Sequence, residues 1–268
     1  MTDTYQTLEL EGRSGWLTIW FNQPQKRNPL TDQMREELME VLRRTRDDAS
    51  VRGITLRGRG GIFCAGGDLK SFNALASGTV PRHEVIATSS SIGELLATVN
   101  HLPQVVIALV EGAAMAGGFG LACCADVVVC ERQAKFAMTE TAIGLSPAQI
   151  APYVIAKLGP ATARRLMLTA ARFNGEQAYE YGFVDELAAD AQELRDIETR
   201  LQQQVLSCAP GAVADTKRLL RDLAGQSDSD RIIAIAAENF ADRVSSPEAQ
   251  EGIGAFFDKR RASWVVTP

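Results

Sequence analysis

The chain has 268 residues, a formal net charge of −5 and 46% hydrophobic residues, which suits one large α/β domain or a main domain with a small appendage. The acidic balance argues against a nucleic-acid partner, and apolar runs such as VVIALV are too short to span a bilayer. Five cysteines (Cys64, Cys123, Cys124, Cys130, Cys208) form no CxxC pair and only two histidines are present, so buried reduced thiols are expected, with no metal and no His-dependent nucleophile.

The opening segment MTDTYQTLELEG is polar and lacks the charged-then-apolar order of a signal peptide, so a cytoplasmic location is expected. GWLTIWF (15–21) alternates and reads as a strand. After a Pro/Asn turn, TDQMREELMEVLRRTRDD begins with a Thr/Asp cap and carries Met34, Leu38, Val41 and Leu42 at helical spacing. VRGITLRG (51–58) is a second strand, RGGIFCAGGD (59–68) a small-residue loop, and 82–100 a helix. VVIALV (105–110) is a strand, and the turn EGAAMAGGFG leads into a helix containing LACCA. VVVC and KFAM follow as short strands. This alternation predicts α/β units with buried strands. Beyond about residue 145 every segment reads as helical, and the last helices carry apolar faces that need something to pack on.

Two loops share one design: CAGGD (64–68) and AGGFG (116–120) each follow a strand and offer unhindered backbone amides. Each alone is compatible with an ordinary tight turn. Neither is followed by GK[ST] and neither matches GxGxxG, so two amides converging on one oxygen fit better than a phosphate cradle. The helix after AGGFG would add its positive N-terminal end.

GIFCAGGDLKSF, VVIALVEGAAMAGGFGLACCADVVV and AKFAMTETAIG, in this order, resemble the signature blocks of the crotonase (enoyl-CoA hydratase/isomerase) superfamily, and the resemblance extends from LTIWFNQPQKRNPLT to GIGAFFDKRR. It implies a crotonase-like ββα spiral core (1–190) and a helical C-terminal trimerisation region (191–268), with a homotrimer or a dimer of trimers as the assembly. It also implies an acyl-CoA substrate, CoA entering as part of the substrate, and no separate cofactor.

By the same resemblance, Gly67 and Gly117 supply the oxyanion-hole amides. Ala65, Lys70, Lys26, Arg27, Phe256 and Lys259 are implied to lie along the CoA, the last two often at a neighbouring subunit's site. On their own the lysines read equally as solvated surface charges, and Phe256 as a core aromatic. Asp68 reads as a helix cap. Hydratases of the family use two glutamates. One corresponds to Glu140, whose neighbours Phe136, Ala137, Met138, Ala142 and Ile143 are apolar, so burial should raise its pKa. Without the resemblance Glu140 reads as a surface residue in a turn. The other glutamate is missing: its position is Gly120.

One carboxylate suffices for a Δ3,Δ2-enoyl-CoA isomerase. The segments GGFGLA, residues 145–186 and CAPGAVADTKRLL resemble instead the isohexenylglutaconyl-CoA hydratases of acyclic-terpene breakdown, relatives of 3-methylglutaconyl-CoA hydratases. That implies hydration of a branched enoyl-CoA bearing a distal carboxylate. A glycine at 120 would then free space for the branch. Gln149 is a candidate water contact or a surface residue. Arg82 and His83 are candidates for the distal carboxylate, or surface charges. A non-catalytic RNA-binding role is opposed by the acidic charge and by the retained Glu140.

Overall fold

The computed structural model describes residues 4–266, apart from the side chains of residues 69–72. β1 (Leu8–Arg13) and β2 (Trp16–Phe21) form an antiparallel hairpin. β3 (Gly53–Gly58), β4 (Val105–Val110), β6 (Val127–Glu131) and β9 (Glu186–Ala188) add to it in parallel, in the order β1-β2-β3-β4-β6-β9. A smaller sheet holds β5 (Ala113–Met115), β7 (Lys135–Ala137) and β8 (Arg172–Asn174), with β5 and β7 parallel and β8 antiparallel.

Helices cover both faces of the larger sheet. α1 (Asp32–Arg46) starts at Thr31, whose side chain accepts from the Met34 amide, and it buries Met34, Leu38, Val41 and Leu42 as their spacing predicts. α3 (Arg82–Asn100) packs beside it and follows the short α2 (Leu69–Ala76). α4 (Gly117–Cys123) is nearly all buried. α5 (Ala151–Thr169) is kinked at Gly159–Pro160, where the proline removes a ladder donor. α6 (Gly175–Glu180) opens with an Asn174 capping box. α7 (Ala191–Ser207), on the C-terminal side of residue 190, packs on the sheet through Leu194, Ile197 and Leu206.

α8 (Pro210–Leu223), α9 (Ser229–Val244) and α10 (Pro247–Phe257) form an arm. The Arg52 guanidinium donates to the carbonyls of both Cys208 and Trp264, at the two feet of this arm. Lys217 of α8 adds a second tether, 2.6 Å from Asp126. α8 and α9 bury no side chain, while Phe240, Phe256 and Phe257 are at least 70% exposed. The expectation of Phe256 as a core aromatic fails here, because α10 packs on α9 with this ring outward.

Four strands were not among the expected elements. The polar start contains edge strand β1, whose outer residues face solvent and so mask the strand pattern. β5, β8 and β9 are three residues each, too short to carry a legible period.

One aromatic cluster ties the layers together. Phe119 of α4 meets Phe136 of β7, Phe173 of β8 and Phe183 at centroid distances of 6.0, 5.7 and 4.5 Å. All but Phe173 are fully buried, and Phe173 is 5% exposed. Phe119→Ala is therefore expected to cost about 3–5 kcal/mol, read as a lowered denaturant midpoint.

Candidate active site

Three chain segments run side by side at the site. Cys64 bridges Ala114 in parallel, and Ala114 pairs with Phe136 in parallel. Gly67 and Gly117 each lie three positions past their register residue, and Glu140 lies four past its own. All three groups therefore leave the carboxyl ends of adjacent parallel segments, a usual place for ligand sites in α/β proteins. The Cys64 amide donates to Ala113 O (3.1 Å) and the Met115 amide to Cys64 O (3.0 Å), fixing the two glycine loops against each other. Leu30 N donates to Gly66 O at 2.8 Å and holds the first loop from the other side.

A Cβ built on Gly117 would lie 4.0 Å from the Gly67 nitrogen, so the two glycines are close neighbours. Among the described residues neither amide donates to a backbone carbonyl. For Gly117 the reason is its place at the first position of α4, where no intrahelical acceptor exists. Ala116, the residue before it, has φ +46° and ψ −118°, strain of about 1–3 kcal/mol. Its amide is pinned to Ala137 O at 2.8 Å, which ties the turn to the strand leading to Glu140. Gly118 permits the approach of α4: a Cβ there would stand 2.7 Å from Cys64 Cβ and 2.8 Å from its carbonyl oxygen.

Glu140 opens a 3-10 turn, Glu140–Ile143. Its Oε2 is buried without a hydrogen-bond partner. Desolvation by burial raises its pKa, as its apolar neighbours predict; a hydrogen bond from its own backbone opposes the shift weakly. At the position where the resemblance places a second glutamate, residue 120 is a buried glycine. A Cβ there would fall 2.6 Å from Ile150 Cβ and closer still to Ile150 Cγ2. The expected free space for a substrate branch at Gly120 is thus corrected: Ile150, 3% exposed, already fills it.

Gln149 is half-buried and its Nε2 donates to Ser89 Oγ of α3 at 2.9 Å. Lys26 and Arg27 are exposed, on and just after a 3-10 turn, and Arg27 O accepts from the Ala65 amide at 3.0 Å. Arg27, with Lys26 beside it in sequence, thus borders the first glycine loop, which contains Ala65. The side chain of Lys70 lies outside the described residues. Phe256 and Lys259 are exposed, at the end of α10 and just beyond it. Arg82 and His83 are exposed at the start of α3. The Cys64 thiol behind the loops is pushed by burial up to about 11, so it stays protonated. A separate cavity at the root of the arm, lined by Arg46, Arg52, Gln104 and Glu248 among others, contains none of these groups. The inward packing of Ile150 onto Gly120 escaped the sequence reading, because no local pattern links the two positions.

The family model for enoyl-CoA hydratase/isomerase matches residues 11–266. Carnitinyl-CoA dehydratase of Proteus mirabilis is 33% identical over 97% of this chain and 98% of its own length. Among solved structures, Pseudomonas aeruginosa AtuE is 42% identical with a TM-score of 0.91, covering 97% of this chain and 100% of that one. An enoyl-CoA hydratase/isomerase from Marinobacter aquaeolei is 39% identical at the same TM-score, over 97% and 99%.

Two outcomes follow from the site geometry. Gly118→Ala is expected to destabilise by about 1–3 kcal/mol through overpacking against Cys64, visible in thermal melts. Glu140 has a folded-state pKa above its unfolded value, so the folded chain binds that proton more tightly. Its stabilising effect is full below the ordinary carboxylate range and is lost as pH rises through the raised value. Glu140→Gln should therefore melt higher than wild type at neutral pH, with the difference shrinking as the pH is lowered.

Proposed function

The chain belongs to the enoyl-CoA hydratase/isomerase family, and from that premise we propose that it is a hydro-lyase adding water across the C2–C3 double bond of a branched 2-enoyl-CoA. The observation that carries this reading is the buried, unpartnered Oε2 of Glu140, on a segment that runs parallel to and in register with the two glycine loops. The dehydratase name of the Proteus relative supports water chemistry. For the acyl group, the resemblance in residues 145–186 supports isohexenylglutaconyl-CoA, giving 3-hydroxy-3-isohexenylglutaryl-CoA in acyclic-terpene breakdown.

The chemistry needs only one carboxylate. As water attacks C3, Glu140 accepts its proton and the C2–C3 π electrons move onto the thioester oxygen. The Gly67 and Gly117 amides stabilise that oxyanion, each such donor being worth about 2.7–4 kcal/mol in enzymes. The oxyanion collapses back, and C2 takes the same proton from Glu140. One molecule of water is consumed, both new bonds form on the face Glu140 occupies, and the carboxylate is restored. A raised pKa makes Glu140 a stronger base near neutrality. CoA would pass Ala65 in the first loop, Lys70 shortly after it in sequence, and Lys26 and Arg27, the latter bonded through its carbonyl to the Ala65 amide.

A second reading has its own support. A site that holds a single carboxylate also suits proton transfer from C2 to C4, which is Δ3,Δ2-enoyl-CoA isomerisation.

We also assign the exposed faces of α8, α9 and α10 to contacts between copies in a homotrimer or dimer of trimers. Ile233, Phe240 and Phe257 are 65–76% exposed, and such a patch is costly to leave in water. Phe256 and Lys259 would then complete a neighbour's CoA pocket.

Mass spectrometry separates the two chemical readings. Incubation with isohexenylglutaconyl-CoA is expected to add one water; an unchanged mass there, with conversion of a 3-enoyl-CoA to its 2-enoyl isomer, identifies an isomerase. Glu140→Gln should lower turnover by about 10²–10⁴-fold. The rate kcat/KM should fall as pH drops below the raised pKa of Glu140, because the carboxylate is the working form. Phe240→Asp with Phe257→Asp is expected to reduce the assembly to monomers by light scattering; an unchanged mass removes the arm from the interface.

A further inference from the structure

We infer that Ile150 fixes the number of carboxylates in this site: it and Gly120 form an interlocked pair, in which residue 150 occupies the volume that any side chain at 120 requires. The inference rests on the one-carboxylate reading above and names the residue that enforces it.

The collision involves more than a flexible tip. A Cβ at 120 would stand 2.6 Å from the Cβ of Ile150, an atom no rotamer moves. The Cα of Ile150, at 3.6 Å, is at an ordinary contact distance. The backbone that carries Ile150 is also held. Its carbonyl accepts from the Tyr153 and Val154 amides at 3.1 and 3.0 Å, and Pro147 O accepts from Ala151 N at 3.0 Å. Gln149 anchors the same turn to α3 through Ser89 Oγ. It lies so flat on that helix that a Cβ at Gly93 would collide with its Oε1 and stand 3.1 Å from its Cδ. A glycine inside a helix costs about 1 kcal/mol relative to alanine; the close seat of Gln149 explains its presence at 93. Gln149 is thereby a positioning residue for Ile150.

On the other side, α4 cannot retreat to make room. Phe119, beside Gly120, is locked in the aromatic cluster, and Gly118 is pressed on Cys64. With both backbones held, the Cβ of Ile150 stays where it is whatever χ1 the β-branched side chain takes. The pair therefore excludes a second acid and leaves an apolar group in its place. Moving to two carboxylates requires both positions to change. Removing all of the Ile150 side chain is needed, since alanine at 150 retains the Cβ that stands 2.6 Å away.

The test is a mutant cycle with two readouts. Gly120→Ala, Ile150→Gly and their pair give thermal stabilities; Gly120→Glu, alone and with Ile150→Gly, gives turnover of crotonyl-CoA beside the branched thioester. Gly120→Ala and Gly120→Glu should each lower Tm, and Ile150→Gly should recover much of that loss although it lowers Tm in the wild type. Gly120→Glu with Ile150→Gly should hydrate the linear crotonyl-CoA at least about tenfold faster than wild type or either single variant. Additive Tm changes overturn the interlock. A gain by Gly120→Glu alone equal to that of the pair overturns it too. Coupled stabilities without a gain in the pair, in a wild type that hydrates the branched substrate, overturn the link to carboxylate number. Coupled stabilities in a wild type that hydrates nothing uphold the interlock and sink the functional reading instead.

Discussion

Everything at the candidate site hangs on the parallel register Cys64–Ala114–Phe136. Two of the three groups are backbone amides, which cannot adjust by changing rotamer. They stay neighbours only if their strands keep this register. Short strands of three residues hold few ladder bonds, so side-chain packing has to maintain the alignment. The Phe119–Phe136–Phe173–Phe183 cluster does so by clamping α4, which carries one amide, to β7, which leads to the carboxylate. Aromatic pairs of this kind are each worth about 0.5–1.5 kcal/mol beyond their buried area. The strained turn at Ala116 is tolerable only inside such a frame.

The electrostatics of the site follow from what surrounds the frame. A carboxyl oxygen with no partner is expensive to bury as a charge. Glu140 meets that cost by a raised pKa, which is also what a proton carrier needs near neutrality. The two glycine loops add no ionised group. Backbone amides offer directed partial charge without the desolvation penalty of a buried cation. The same economy holds at position 120, where an apolar contact with Ile150 stands in place of a second ionised group. Stability and function pull against each other at Glu140 and in the same direction at Ile150.

The arm shows a different balance. Its helices are internally braced by the Asp215–Arg243–Glu248 network, with Glu248 also accepting from the first amides of α8. They bury little against their own core, and Arg52 and Lys217 hold them at discrete polar points. Polar tethers fix direction with little contact area, and they leave the apolar faces free for a larger partner surface.

Local chemistry in the chain was enough for the α/β class, the extents of α1 and α3 within a residue or two, and the positions of the two glycine loops, whereas Glu140 was singled out only by the family resemblance. Those local readings rest on short-range pattern: helical spacing, a cap, or glycines after a strand. Edge strand β1 and the three-residue β5, β8 and β9 carried too little period to be read. The closeness of Gly67 to Gly117 depends on pairing between segments some fifty residues apart. The filling of position 120 by a residue thirty places later depends on how α4 and α5 meet. Glycine at 120 looked like vacated space in one dimension. Close packing made it an occupied contact, because a folded interior leaves no room of side-chain size empty.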